Sequence, residues 1–433
     1  MDTIQLILIL FGSFVALALI GVPIAVSLGL AGFLSALAAG INPIAIVQNI
    51  YAILNSYTLL AVPLFMLVGS LMEHGEITER LVGFSRVLVG HIRGGLGQVN
   101  VLTNMLMSGI SGSATADAAA LGSVMLPAMK REGYPADLAA AINATASTLG
   151  PIIPPSIMMV VYGAYGGVSI GAMFLGGFLP GALLGVALMI YIYIWARRTG
   201  FNAHLKRATA REVWEATKDA ALALLAPVII VASIVSGLCT TTEAGMICAV
   251  YCLLVCLISY RSLSFHSMII VLKDTLSGTG KPLLCVAGAG AFGYMMAYLQ
   301  IPNRVLELFG PYADSKVSVT LFIVILYLIL GTFMDATPAI VIFISIIQSL
   351  AENVGLNQLH VGVLVCVTLC CGFITPPYGL TLLISAGLAN VSTTAVIKRL
   401  APQLILYIFI ILLIAFIPEI VLWLPRIFMP SSV

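Results

Sequence analysis

Charge is what this chain has least of. Only 8% of its 433 residues are Asp, Glu, Lys or Arg, against roughly a quarter in a soluble domain. That shortage excludes an ordinary water-soluble fold. A formal net charge of +2 gives no ground for a nucleic-acid partner. There is no phosphate loop, so ATP is not expected to bind. Ser113 lacks the G-x-S-x-G setting of a nucleophile, and the five histidines, at 74, 91, 204, 266 and 360, are scattered. Enzyme chemistry therefore has no visible carrier. Cysteine is absent before Cys239, and the eight that follow are not spaced as a disulfide framework. Cys248, Cys252 and Cys256 recur at helical spacing, but no His or carboxylate stands near them in sequence, so they read as small apolar packing residues rather than a metal stripe. The N-terminal Met1-Asp2-Thr3-Ile4-Gln5 has no basic stretch and no small-residue cleavage site, so the first helix is expected to be retained.

What the chain does have is apolar length. It is 61% hydrophobic, and apolar runs of about 20 residues, enough to span a bilayer as helix, recur throughout. Barrel-type alternation is missing. The reading is an all-α polytopic membrane protein.

The chain also repeats itself. With an offset of 222 positions, Ala114 falls on Ala336, Thr115 on Thr337, Gly133 on Gly355, Gly150 on Gly372, Pro154-Pro155 on Pro376-Pro377 and Pro180 on Pro402. Earlier, after a three-residue shift, Pro63-Leu64 and Gly69 match Pro282-Leu283 and Gly288. Paired apolar segments broken by Gly and Pro are the mark of a secondary transporter, whose site lies where the broken helices of two repeats meet. The first repeat is expected over 1–196, with a re-entrant hairpin at about 96–128 and a broken helix at about 136–165. The second is expected over 220–433, with a hairpin at about 316–351 and a broken helix at about 358–388. Each hairpin arm is too short to span the membrane alone, so its tip should lie buried in protein.

Other segments are read more coarsely. Residues 4–37 are broken near Gly21-Val22-Pro23, and 44–72 near Pro63. Residues 73–93 interleave charged and apolar residues, as in an interfacial or connecting amphipathic helix. Further spans are expected near 170–196, 219–237, 241–260, 282–299 and 400–424, with a linker carrying Arg261, Lys273 and Lys281. Residues 197–219 hold Arg197, Arg198, Lys206, Arg207, Arg211 and Lys218, and the positive-inside rule makes this linker cytoplasmic. Counting back puts Lys130-Arg131 in the cytoplasm too. The equivalent stretch in the second half, 351–358, has no Lys or Arg, whereas Lys398-Arg399 follow the next span. The two repeats should therefore be inverted.

Three acids sit deep in apolar segments: Asp117, Glu243 and Asp335. An ionisable group there is costly and points to function. Asp335, in register with Ser113, also suits a helix cap before Ala336-Thr337-Pro338, and Glu243 reads as a capping or packing acid. A small hard cation such as Na+ wants several oxygens, which unwound backbone and hydroxyls supply. One cation site is expected from Ser111, Ser113, Thr115, Ser147, Thr148 and Gly150. A second is expected from Asp335, Thr337, Cys370, Gly372 and Thr375. An anionic substrate would lie between the half-helix N-termini, touching Ser113, Asp117, Pro154, Pro155, Asp335, Thr337, Pro376 and Pro377.

These motifs carry a family resemblance. Gly112-Ser113-Ala114-Thr115-Ala116-Asp117-Ala118-Ala119-Ala120-Leu121-Gly122 and Leu149-Gly150-Pro151-Ile152-Ile153-Pro154-Pro155-Ser156 resemble the large membrane subunit of TRAP (tripartite ATP-independent periplasmic) transporters. So do Met334-Asp335-Ala336-Thr337-Pro338-Ala339 and Ile374-Thr375-Pro376-Pro377-Tyr378-Gly379. Thr241-Thr242-Glu243-Ala244 is similar to the family's T-x-T-E-A stretch, slightly altered. The resemblance covers essentially the whole chain. It implies a bacterial inner-membrane symporter that couples Na+, at least two ions, to uptake of an organic acid. It further implies an elevator in which a transport domain slides against a scaffold. The expected partners are a small four-helix membrane subunit and a periplasmic capture protein. Because the first residues already enter the first helix, the small subunit is expected to be a separate chain. Among organic acids the expectation leans to sialic acid over a C4-dicarboxylate. Two other readings stand beside this one: a proton-coupled exchanger using Asp117 and Asp335, and a non-transporting membrane scaffold subunit.

Overall fold

The computed structural model describes residues 2–75, 77–201 and 207–432; Lys206 and His204 lie outside them. Every regular element among the described residues is helical. The chain opens with α1 (Thr3–Leu19), α2 (Ile24–Ala38) and α3 (Pro43–Leu54), then a 3₁₀ turn into α4 (Ala61–His74) and α5 (Ile77–Val89). The break expected at Pro63 falls instead at 55–60. Pro63 stands in the first turn of α4, where its missing N–H removes no intrahelical bond.

The next two helices, α6 (Gly95–Ser111) and α7 (Ala114–Arg131), form a helix pair broken at Gly112 and Ser113. Gly112 takes a left-handed φ of 59°, which a side chain would resist, and Ser113 caps α7 by accepting from Ala116 N at 3.4 Å. There follow α8 (Ala136–Ser147), an irregular stretch, α9 (Ile157–Gly166) and the long α10 (Ile170–Thr199).

After the polar connection come α11 (Ala210–Val235), α12 (Thr241–Leu254, continued by one π turn), α13 (Phe265–Tyr298) and α14 (Ile301–Phe309). Arg211 and Lys218, expected in the linker, stand on α11. The linker expected around Lys273 and Lys281 is likewise helix: α13 runs unbroken for 34 residues. Its charged residues interleave with apolar ones at helical spacing, so they mark one face rather than a loop. Glu243 accepts from Thr240 N and Oγ1, both at 2.8 Å, and so closes a capping box at the start of α12. Cys248, Cys252 and Cys256 are buried between α12 and its neighbours.

A second helix pair, α15 (Lys316–Gly331) and α16 (Ala336–Asn353), precedes α17 (Gln358–Gly372) and α18 (Leu380–Ala389). The chain closes with α19 (Thr393–Phe416) and α20 (Glu419–Phe428). The last span is thus split at Ile417-Pro418, because proline ends helix at the residue before it. By length and composition, six of the described helices could cross a membrane, or seven if the bent α13–α14 pair counts as one.

Contacts between the halves are reciprocal. The segment α18 packs on α7 and α8, and α9, which corresponds to it at an offset of 222, packs on α16 and α17. A Cβ built on Gly122 would lie 2.9 Å from Leu388 Cδ1, and one built on Gly166 would lie 2.8 Å from Ile344 Cδ1. Position 122 corresponds to 344, and 166 to 388. The same contact therefore occurs twice with its large and small partners exchanged, which keeps packing density in both places. Outside this unit, α2 runs along α13 on small residues: Gly29 faces Gly288 and Gly32 faces Ala291, letting the backbones approach closely.

Candidate substrate and cation site

Both helix pairs bring their tips to one cavity of about 780 Å³. Ser111, Ser113, Thr115 and Asp117 line it from the first tip, and Asp335, Ala336 and Thr337 from the second. The two broken helices contribute Pro151, Ile157 and Met158 on one side and Phe373, Tyr378 and Leu380 on the other. The opposite wall is built by α4, through Met66, Gly69, Ser70 and Glu73, and by α13, through Asp274, Gly278, Lys281 and Pro282. The helices α7 and α16 both begin at this cavity, so their N-terminal N–H groups and dipoles are aimed at it.

At the first tip the carboxyl of Asp117 is buried, 1% exposed. Ser111 Oγ donates to its Oδ1 at 2.6 Å, while Oδ2 has no hydrogen-bond partner among the described residues. A buried carboxylate oxygen without a partner is costly. It faces Gly150, on which a Cβ would lie 2.6 Å from Oδ2, 3.2 Å from Ser113 C and 3.3 Å from Ala114 N. The glycine is therefore required by the close approach of broken helix and tip. Ser113 Oγ and Thr115 Oγ1 are 3.3 Å apart. Ser147 and Thr148 donate their hydroxyl protons to Ala144 O and Thr145 O, at 2.9 and 2.7 Å, which leaves oxygen lone pairs free. The residues present fit a small hard cation at Asp117. An ion beside Oδ2 would meet an orphaned anionic oxygen, with hydroxyl and carbonyl oxygens on the same short segments.

The second tip is built differently. Asp335 caps α16, accepting from Ala336 N at 2.8 Å, and its equivalent in the first copy is Ser113. Asp117 corresponds in turn to Ala339, so the acid has moved from one turn inside the arm to the cap. Gly372 abuts the Gly331 backbone, and Tyr378 N donates to Thr332 O at 3.2 Å, tying break to tip. Thr375 Oγ1 donates to Cys371 O at 2.7 Å. Cys370 is buried with its sulfur 4.0 Å from Met158 Sδ, so only its carbonyl is available to a hard cation. Thr337 reaches the cavity. Pro154, Pro155, Pro376 and Pro377 do not line it; the first pair is buried behind the tip and the second is exposed. Ser147, Thr148, Gly150, Cys370, Gly372 and Thr375 are not on the lining either.

The family described as Tripartite ATP-independent periplasmic transporter, DctM component, matches residues 11–420. The chain belongs to this TRAP family. It is 35% identical over 94% of its length to the sialic acid TRAP transporter large permease protein SiaM of Vibrio cholerae, covering 96% of that protein. It is 37% identical over 92% of its length to the C4-dicarboxylate large permease DctM of Pseudomonas aeruginosa, covering 94% of it. The fold is similar to a crystal structure of the YdaH transporter of Alcanivorax borkumensis, with a TM-score of 0.62 and 13% identity over 86% of this chain and 87% of that one.

For a TRAP large permease the wall residues Glu73, Asp274 and Lys281 are the part sequence reasoning did not find. A signal was present: the match of Pro63-Leu64 to Pro282-Leu283 marks α4 and α13 as equivalent helices, and these charges lie on them. Nothing in the sequence joins two helices about 200 residues apart to the tips they face.

Proposed function

We propose that this TRAP large permease is a Na+-coupled symporter that takes up an organic acid through an elevator movement. In this reading it sits in a bacterial inner membrane with a small membrane subunit, and a periplasmic binding protein delivers the substrate. The observation that carries the reading is the charge of the shared cavity. Four carboxylates line it, from Glu73, Asp117, Asp274 and Asp335, against one cation, Lys281. An organic anion entering such a site is repelled unless cations accompany it. Two Na+ bound at the tips offset two of the three surplus negative charges, and the N-termini of α7 and α16 then favour a carboxylate between them. Ser111, Ser113, Thr115 and Asp117, with the backbone near Gly150, would hold one ion. Asp335, Thr337 and the carbonyls around Gly372 would hold the other.

Reciprocal packing of Gly122 on Leu388 and Ile344 on Gly166 supports a two-fold relation between the halves. The reversed Lys and Arg bias supports inversion across the membrane. The unit formed by α6–α9 and α15–α18 would move, and α2, α4, α11 and α13 would remain with the scaffold. The relatives do not choose the substrate, because identities to the sialic acid and C4-dicarboxylate permeases differ by only two percentage points, 35% against 37%.

Uptake of labelled sialic acid and succinate into proteoliposomes tests the reading, using this chain with its small subunit and capture protein. The expected result is accumulation that needs both an inward Na+ gradient and the capture protein. Accumulation indifferent to Na+ at fixed pH would move the coupling to protons.

A further inference from the structure

We infer that Lys281, on the wall opposite the tips, is the residue that recognises the carboxylate of the transported acid. The inference rests on the transport reading above and goes beyond it by assigning an anion-binding side chain outside both repeats' tips and breaks.

Lys281 is the one cation on the described lining of the cavity. It stands on a stripe of α13 with Asp274 and Gly278, at spacings of seven and three residues, so all three face the same side of the helix. The side of α13 about a third of a turn from this stripe is buried at Thr275, Thr279 and Val286. That fixes the helix's rotation and keeps the charged stripe toward the cavity. Three of the four acids on the lining have local partners. Asp274 pairs with His74 Nε2 at 2.9 Å, Asp117 accepts from Ser111, and Asp335 accepts from Ala336 N. Among the described residues Lys281 has neither an ion pair nor a side-chain hydrogen bond, although it lies within coulombic reach of Asp335. The adjacent Gly278 has no side chain, and Met66 of α4 fills the space that a Cβ there would take. An ammonium with three donors, held at a cavity wall and unpaired, suits a carboxylate that arrives from outside. Because α13 packs along α2 and α4, the lysine belongs to the part of the fold that would stay still. The contact is then available on only one side of the elevator stroke, and its loss would help release the acid on the other.

The test is saturation kinetics of labelled sialic acid and succinate uptake in the reconstituted complex at high Na+. For Lys281→Gln the expected result is a KM raised about tenfold or more, as for loss of a charge-assisted hydrogen bond, with half-saturating Na+ unchanged. Lys281→Arg should recover most of the affinity, because it keeps the charge. A second arm uses Lys281→Cys in a background whose eight natural cysteines are replaced. Attaching an aminoethyl thiol reagent restores the charge and should lower KM, whereas a neutral reagent of similar size should not. An unchanged KM in Lys281→Gln, or equal effects of the two reagents, overturns the inference. A wild-type complex that takes up neither acid would instead sink the transport reading, and this inference with it.

Discussion

At the residue scale the first tip turns on one unpaired oxygen. Asp117 Oδ2 is buried, faces Gly150 and accepts from no group among the described residues. Replacing Asp117 by Asn removes the buried charge but keeps the shape. The expected outcome is a folded protein whose half-saturating Na+ rises about tenfold or more, read from the Na+ dependence of uptake. Unchanged Na+ dependence would detach Asp117 from the ion. Gly150→Ala probes the same contact sterically. Its Cβ would meet Asp117 Oδ2 and the backbone of the tip, so a cost of about 1–3 kcal/mol and loss of uptake are expected, measured by thermal unfolding beside transport. Glu243 makes the contrast, since among the described residues its side chain is held only by the N–H and hydroxyl of Thr240. Glu243→Ala should lower the thermal unfolding temperature slightly and leave KM and Na+ dependence alone. A changed Na+ dependence there would give this acid a role in transport.

At the scale of elements, sequence was most legible where backbone chemistry is strict. Gly112 with its positive φ, Ser113 as a cap, and the paired prolines after Gly150 and Gly372 mark ends that helix cannot cross, and the helices stop there. Proline misled at Pro63, which begins a helix instead of breaking one. Pro180 and Pro402 lie within α10 and α19, inside the spans expected there. The four prolines expected at the substrate shape the breaks but lie off the cavity lining. The charged wall was illegible, because it exists only once α4 and α13 are docked against the tips. Pairing between the halves yields a sharp prediction. Gly122→Ile should collide with Leu388 and destabilise by about 1–3 kcal/mol. Adding Leu388→Gly should recover the part of that loss due to Leu388, as in the arrangement of Ile344 with Gly166, but not the part due to Asn143, whose Nδ2 would lie 2.8 Å from the new Cβ. If the two changes simply add, the halves are not packed by a common two-fold rule.

At the scale of the whole molecule, the account divides the chain into a unit holding both tips and a frame that holds the opposite wall. One seam between them sets Gly109 on α6 against Pro227 on α11, where a Cβ on the glycine would lie 2.8 Å from the proline Cβ. Cysteines placed there by Gly109→Cys and Pro227→Cys, with the natural cysteines replaced, should cross-link on oxidation. Uptake should stop in the oxidised protein and return on reduction; full uptake with the bond intact would mean that α6 does not move past α11. The central claim is that cations entering with the acid offset the cavity's excess of carboxylates. Its most direct measurement is the flux of labelled Na+ and labelled acid into the same proteoliposomes. At least two Na+ per acid are predicted, with neither flux occurring alone. Acid uptake without Na+ flux would contradict it.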